Sequence, residues 1–157
     1  IALGKFVPWD PKKKFDPKEH IRRGYIDVSD NVVFENHRDT LRCFGYKKKG
    51  HFQRASWRIP GTDKQVWFPK LYKNKDWDNE LNENFDTITE KYIGTDTKKM
   101  KWIVQPRDIT KNIVFAHYKN FLGNVVYKFL GEFHVSLEES NSQQVVYKRT
   151  STRVKLP

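Results

Sequence analysis

Residues 54–72 read "RASWRIPGTDKQVWFPKLY", and this stretch decides the fold class. Pro60 and Gly61 mark "PGTD" (60–63) as a four-residue loop, flanked by runs of alternating polarity. Antiparallel pairing across that loop sets Arg58 opposite Gln65, Trp57 opposite Val66, Ser56 opposite Trp67 and Ala55 opposite Phe68. Side chains alternate along a strand, so Ala55, Trp57, Ile59, Val66 and Phe68 share one face, which is apolar. The other face carries Arg54, Ser56, Arg58, Gln65 and Trp67. Trp57 is therefore expected in the core. Trp67 is expected among bases and polar groups, where an indole either stacks on a nucleobase or packs on arginine stems.

Outward from the hairpin, β-branched and aromatic runs continue. "GYIDVS", "LRCFGY", "KWIVQP", "NIVFAHY", "VVYKFLGEFHV" and "QQVVYKRTSTRVKL" all read as strands separated by turn-like connections. The fold class that follows is mainly β, a compact barrel or strongly bent sheet with one or two short helices. "FDPKEHIRRGY" is the clear helix: Asp16 caps, Pro17 opens the first turn and Gly24 closes the end. "DWDNELNENFDTITEKY" (76–92) reads as either an acidic helix or an irregular flap. Along "VVYKFLGEFHV", strict alternation puts Val125, Tyr127, Phe129, Phe133 and Val135 on one face, and Gly131 among them signals a bulge or a close backbone approach. In "YKRTSTRVK", Tyr147, Arg149, Ser151, Arg153 and Lys155 share a parity suited either to phosphate contact or to a charged edge strand.

The 157 residues fit a single domain spanning 1–157. A chain that opens on Ile1 rather than Met is expected to be part of a longer protein. Its net charge of +11 points to an acidic partner, nucleic acid before membrane. The charge is also unevenly placed. Residues 40–62 hold Arg42, Lys47, Lys48, Lys49, Arg54 and Arg58 with no acid, whereas 76–96 hold seven acids and only Lys91. Lys98, Lys99, Lys101, Arg149 and Arg153 extend the basic set, and a surface divided in this way steers a polyanion to one side. Cys43, the single cysteine, excludes an intrachain disulfide and a cysteine-based zinc site, and fits a reducing cytoplasm. No run of apolar residues approaches a membrane span, and no signal peptide is expected.

Catalytic constellations are not evident. There is no phosphate-binding glycine loop, and His20, His37, His51, His117 and His134 lack metal-ligand spacing. Asp63 through Lys70, Glu138-Glu139 with Lys148, and Glu35 with His37 and Asp39 form only loose acid-and-base patterns of the kind a metal-dependent nuclease uses. Asp76, Asp78, Glu80 and Glu83 lack the glycine and terminal glutamate of a calcium loop. No catalytic residue, metal or cofactor is expected.

"NIVFAHYKNFLGNVVYKFLGEFHVSLE" followed by "VVYKRTSTRV" resembles the closing strands of accessory domains in bacterial restriction proteins. With the basic face and the tryptophans, the plan resembles the PUA-like superfold, whose SRA, EVE and YTH branches bind nucleic acid; the resemblance does not separate the three. It implies a non-catalytic module that reads double-stranded DNA, modified DNA included, holds a flipped base, and directs a linked or associated nuclease domain. It also implies that Trp67, with Tyr72, Trp77 or Trp102, stacks on the base while Asp76 or Asp78 reads its edge. A small metal-dependent nuclease and an RNA-binding module are the alternatives.

Overall fold

The computed structural model describes residues 15–96 and 111–157. The first helix forms where its caps place it: α1 (Pro17–Arg23) begins at Asp16, whose carboxylate accepts from Lys18 N, and ends at Gly24 in the left-handed region. After β1 (Tyr25–Asp27) and β2 (Val33–Phe34) comes α2 (His37–Arg42), capped by the Asn36 side chain on Asp39 N. This corrects the reading of "LRCFGY" as a strand. Leu41, Cys43, Phe44 and Tyr46 are buried from a helix and the turn after it, a role that a short apolar run does not distinguish from a strand.

The central hairpin follows the register read from its sequence. β3 (Ser56–Arg58) pairs antiparallel with β4 (Lys64–Trp67), with Ser56 opposite Trp67, Trp57 opposite Val66 and Arg58 opposite Gln65. Phe68 N donates to Ala55 O at 2.8 Å, and Pro69 then halts the pairing. The remaining strands are β5 (Lys73–Asn74), β6 (Trp77–Leu81), β7 (Thr87–Tyr92), β8 (Lys111–Lys119), β9 (Val125–Ser136), β10 (Gln144–Ser151) and β11 (Arg153–Lys155). Residues 76–92 are thus neither helix nor flap but the β6–β7 hairpin, with Asn79 opposite Glu90.

Among the described residues, nine strands form one sheet in the order β3-β4-β8-β9-β10-β7-β6-β5, with β2 also paired to β9. β4 and β8 run parallel, and the other neighbours are antiparallel. β1 and β11 pair separately. The mainly-β class and the short helices stand. A closed barrel does not, because β3 and β5 end the order without pairing to each other.

Both faces of the sheet are filled. On β8, Ile113 and Phe115 enter one apolar cluster while Val114, Ala116 and Tyr118 enter another. β4 is divided likewise. Val66 and Phe68 join the first cluster, with Trp57 packed on it, and Trp67 joins the second. Two-sided burial explains why Trp67 is only 9% exposed instead of standing on an open basic surface.

β9 is the pivot. Val114 pairs with Gly131 but Phe115 with Phe129, so Leu130 is an inserted residue. The insertion inverts the parity of the strand: Tyr127 and Phe129 pack on one cluster, Phe133 and Val135 on the other. The single face read for these residues is corrected accordingly. β10 answers with its own irregularity between Arg149 and Ser151, and β11 pairs with β1, so the shared parity of Tyr147 through Lys155 is broken as well. Glu132, beside the bulge, bonds Lys64 at 2.8 Å and His134 at 2.9 Å. Burial alone would raise its carboxyl, but these partners hold it below the ordinary glutamate value.

Two stability predictions follow from this geometry. Gly131 has φ +110° and its absent Cβ would lie 2.5 Å from Ser151 O, whereas Gly61 has φ +75° and open space. Gly131→Ala is expected to cost about 1–3 kcal/mol by urea titration, and Gly61→Ala less, since only backbone conformation opposes it. Asp27, bonded by Arg153 Nε at 2.8 Å and by Ser29, is lowered from 3.8 to about 2. Its ionised form favours folding above the unfolded value, and that contribution disappears as pH falls through the folded one. The stability gap between the protein and Asp27→Asn should therefore close between about pH 4 and pH 2 in acid titrations of the urea midpoint.

Candidate nucleic-acid interface

Where β4 stops at Pro69, the chain turns away and opens a cleft of about 670 Å³. Its walls come from the start of α2 (Asn36, His37), the segment before β3 (His51 to Ala55), the end of β4 (Trp67 to Lys70), the β6–β7 hairpin (Trp77, Asn79, Glu90) and the β8–β9 pair (His117, Tyr127). The volume and the mixture of rings with a few polar groups suit a small planar ligand.

The aromatic walls are braced from behind. Trp67 lies against Tyr147, with ring centroids 4.7 Å apart, and the Tyr147 hydroxyl donates to Glu90 Oε1 at 2.6 Å. Trp77 meets Tyr92 edge-on at 5.2 Å. His37 stacks on Phe68 at 3.9 Å and lies 4.4 Å from Tyr127. Its Nδ1 is 3.0 Å from Phe52 O; a carbonyl only accepts, so Nδ1 carries the proton and Nε2 is left as an acceptor. Burial lowers the pKa of His37, and burial with nearby Lys70 lowers His117 to about 4, so both rings are neutral near pH 7.

Asn79 supplies the polar centre. It is 9% exposed and its Nδ2 donates to Lys70 O at 3.1 Å, while Oδ1 has no partner among the described residues. A buried carbonyl without a donor costs free energy, and a ligand with an N–H group would satisfy it.

Of the residues singled out from sequence, Trp67, Trp77 and Arg54 line this cleft together. Tyr72 borders it through an edge contact to His117 at 6.2 Å. Asp76 precedes β6, with its carbonyl accepting from Ile93 N, and Asp78 points from β6 to the face opposite Trp77 and Asn79. Lys47, Lys48 and Lys49 are exposed after α2, and Arg58 is exposed on edge strand β3. Arg149 is half-buried and bonds Leu130 O at 3.4 Å. Arg153 pairs with Asp27 and lies over the Tyr25 ring at 4.1 Å. Lys98, Lys99, Lys101 and Trp102 lie outside the described residues.

The loose acid patterns resolve into ion pairs and caps. Asp63 bonds Lys111 at 3.3 Å, Glu139 bonds Lys148 at 3.2 Å, and Asp39 accepts from Asn36. Among the described residues, no three His, Cys, Asp or Glu side chains gather as a metal-ligand set, and no helix is long and apolar enough to cross a membrane. Sequence reading missed Asn79, Glu90, His117 and Tyr127, and weighed His37 only within a loose metal-site pattern. Asn79 shares a strand parity with Trp77, a signal that is visible only once residues 76–92 are read as a hairpin.

Comparison with known proteins accords with this geometry. The family model of the SRA domain, the SET and RING associated domain, matches residues 19–156. Among solved structures, the chain is similar to the 5-hydroxymethylcytosine-specific restriction enzyme AbaSI, at 33% identity and a TM-score of 0.80. The match covers 96% of this chain and 48% of that one, so the chain spans about half the length of the enzyme it resembles. None of the curated proteins compared matches. With the family model spanning every strand from β1 to β11, this chain belongs to the SRA domain family.

Proposed function

We propose that this SRA domain binds duplex DNA, draws one modified base out of the stack into the Trp67–Trp77 cleft, and directs a nuclease domain of the same protein to that site. The observation that carries the reading is Asn79 Oδ1, a buried acceptor without a partner among the described residues, set in a cleft walled by tryptophans. An extruded base presents a face to stack and donors on its Watson–Crick edge, and both are matched there. Arg54 and Lys70 at the rim, and the overall charge of +11, supply the sequence-independent attraction to phosphate.

The likeness to AbaSI supports a pyrimidine carrying a 5-hydroxymethyl group as the base, and supports a role in restriction in which this part recognises and another part cuts. Cytosine fits Asn79 because its exocyclic amine donates, whereas thymine places a keto oxygen there. Such a module works in the cytoplasm.

Binding to duplex DNA should weaken steeply as salt rises, and Arg54→Ala or Lys70→Ala should each flatten the log–log slope by about 1 in anisotropy titrations. Salt-independent binding contradicts the proposal. Trp77→Ala should weaken a probe with a single modified base by about 1–3 kcal/mol, while Trp57→Ala, which removes a ring packed against Tyr46 outside the cleft, should lower the unfolding midpoint without that selective loss. Equal losses of affinity for modified and unmodified probes would remove the base from the cleft.

A further inference from the structure

The position of His117 is tightly determined by its backbone. Its backbone N–H donates to Pro69 O at 2.9 Å, and it bridges Lys70 beyond the end of β4. The half-buried ring lines the cleft between Tyr72, at 6.2 Å, and Tyr127, at 5.5 Å, both edge-on. Among the described residues neither ring nitrogen has a hydrogen-bond partner, unlike His37, whose Nδ1 is taken by Phe52 O.

The groups around it keep the ring uncharged. Burial acts first, then Lys70 after β4, His37 on α2 and Lys119 on the same strand, and together they lower its pKa to about 4. Tyr72 and Tyr127, whose rings meet it edge-on, are phenols and add no negative charge near pH 7; Glu35 and Glu90 line the same cleft, and Glu90 accepts from the Tyr147 hydroxyl. A neutral imidazole carries one N–H donor and one bare nitrogen acceptor. Whichever of the two faces a ligand, a hydroxyl complements it, because a hydroxyl both donates and accepts. A methyl group or a hydrogen complements neither, and a methyl displaces water from the imidazole without replacing its hydrogen bond.

We infer that His117 is the specificity-determining residue that tells a hydroxyl-bearing base substituent from a methyl group or a hydrogen. This rests on the reading of the cleft as a base pocket, and it assigns the substituent to the β8–β9 wall while Asn79 on the β6–β7 hairpin takes the ring edge. Sites built to bond a hydroxyl reject the analogue that lacks it more strongly than apolar pockets reject a misfit.

The test uses this chain and three duplexes identical except for one cytosine, 5-methylcytosine or 5-hydroxymethylcytosine, titrated by anisotropy at fixed salt. The hydroxymethyl duplex should bind about tenfold more tightly than the methyl duplex, the worth of one partly buried hydrogen bond. His117→Phe, which keeps a flat ring without polar atoms, should bring that ratio to about 1, with the hydroxymethyl duplex losing more affinity than the methyl duplex. His117→Gln, which retains a donor and an acceptor, should restore part of the ratio; unchanged thermal midpoints would confirm that both variants fold. A hydroxymethyl preference that survives in His117→Phe overturns the inference. Modified duplexes preferred over unmodified, but equally for methyl and hydroxymethyl, would also overturn it while leaving the base pocket standing. No preference among the three duplexes would remove both.

Discussion

One inserted residue, Leu130, organises this molecule. Without it β9 would keep a single parity over its length, and Phe129 and Phe133 would point to the same face. With it, they go to opposite sides of the sheet, each to the apolar cluster on that side. The same edge of β9 is then shared in sequence: β2 pairs at Tyr127 and Lys128, and β10 from Glu132 onward. Gly131 makes this feasible, because its φ of +110° and the nearness of Ser151 O leave no space for a side chain. The irregularity of β10 between Arg149 and Ser151 lies directly against it, so the two distortions accommodate each other.

A sheet with both faces buried has no open surface on which to seat a ligand. The site is instead a notch at the edge of order, where Pro69 ends β4 and the chain crosses to the β6–β7 hairpin. This accounts for the double character of Trp67. Its ring is part of a core cluster through Tyr147, and its edge is part of the cleft wall. The rings that would meet a base are held by packing and by the Tyr147–Glu90 bond, so they need little reordering on binding, which limits the entropic cost of recognition.

The sequence was most informative where interactions are local. The "PGTD" loop determined the pairing of Ser56 with Trp67, and Asp16, Pro17 and Gly24 determined the first helix, since turns and caps depend on neighbours only a few residues away. It was least informative where burial from a distant element outweighs the local pattern. "LRCFGY" looks like a strand because Leu41, Cys43 and Phe44 are all buried in one apolar cluster, from the end of α2 and the turn after it. The β6–β7 hairpin looks irregular because polar residues such as Asn79 and Glu90 face a cleft instead of solvent.

By itself, then, the sequence determined a basic, mainly-β domain with a defined central hairpin, and it marked Gly131 as a place where the backbone departs from the regular. Alternation, turn chemistry and net charge are properties of short segments or of simple sums, and are readable without coordinates. Only the tertiary structure decided that the sheet stays open, that the basic side of Trp67 is covered by Tyr147, and that Asn79, His37, His117 and Tyr127 converge on the two tryptophans. These residues come from four separate elements spread between positions 37 and 127, and what brings them together is strand order and register, neither of which any local pattern encodes.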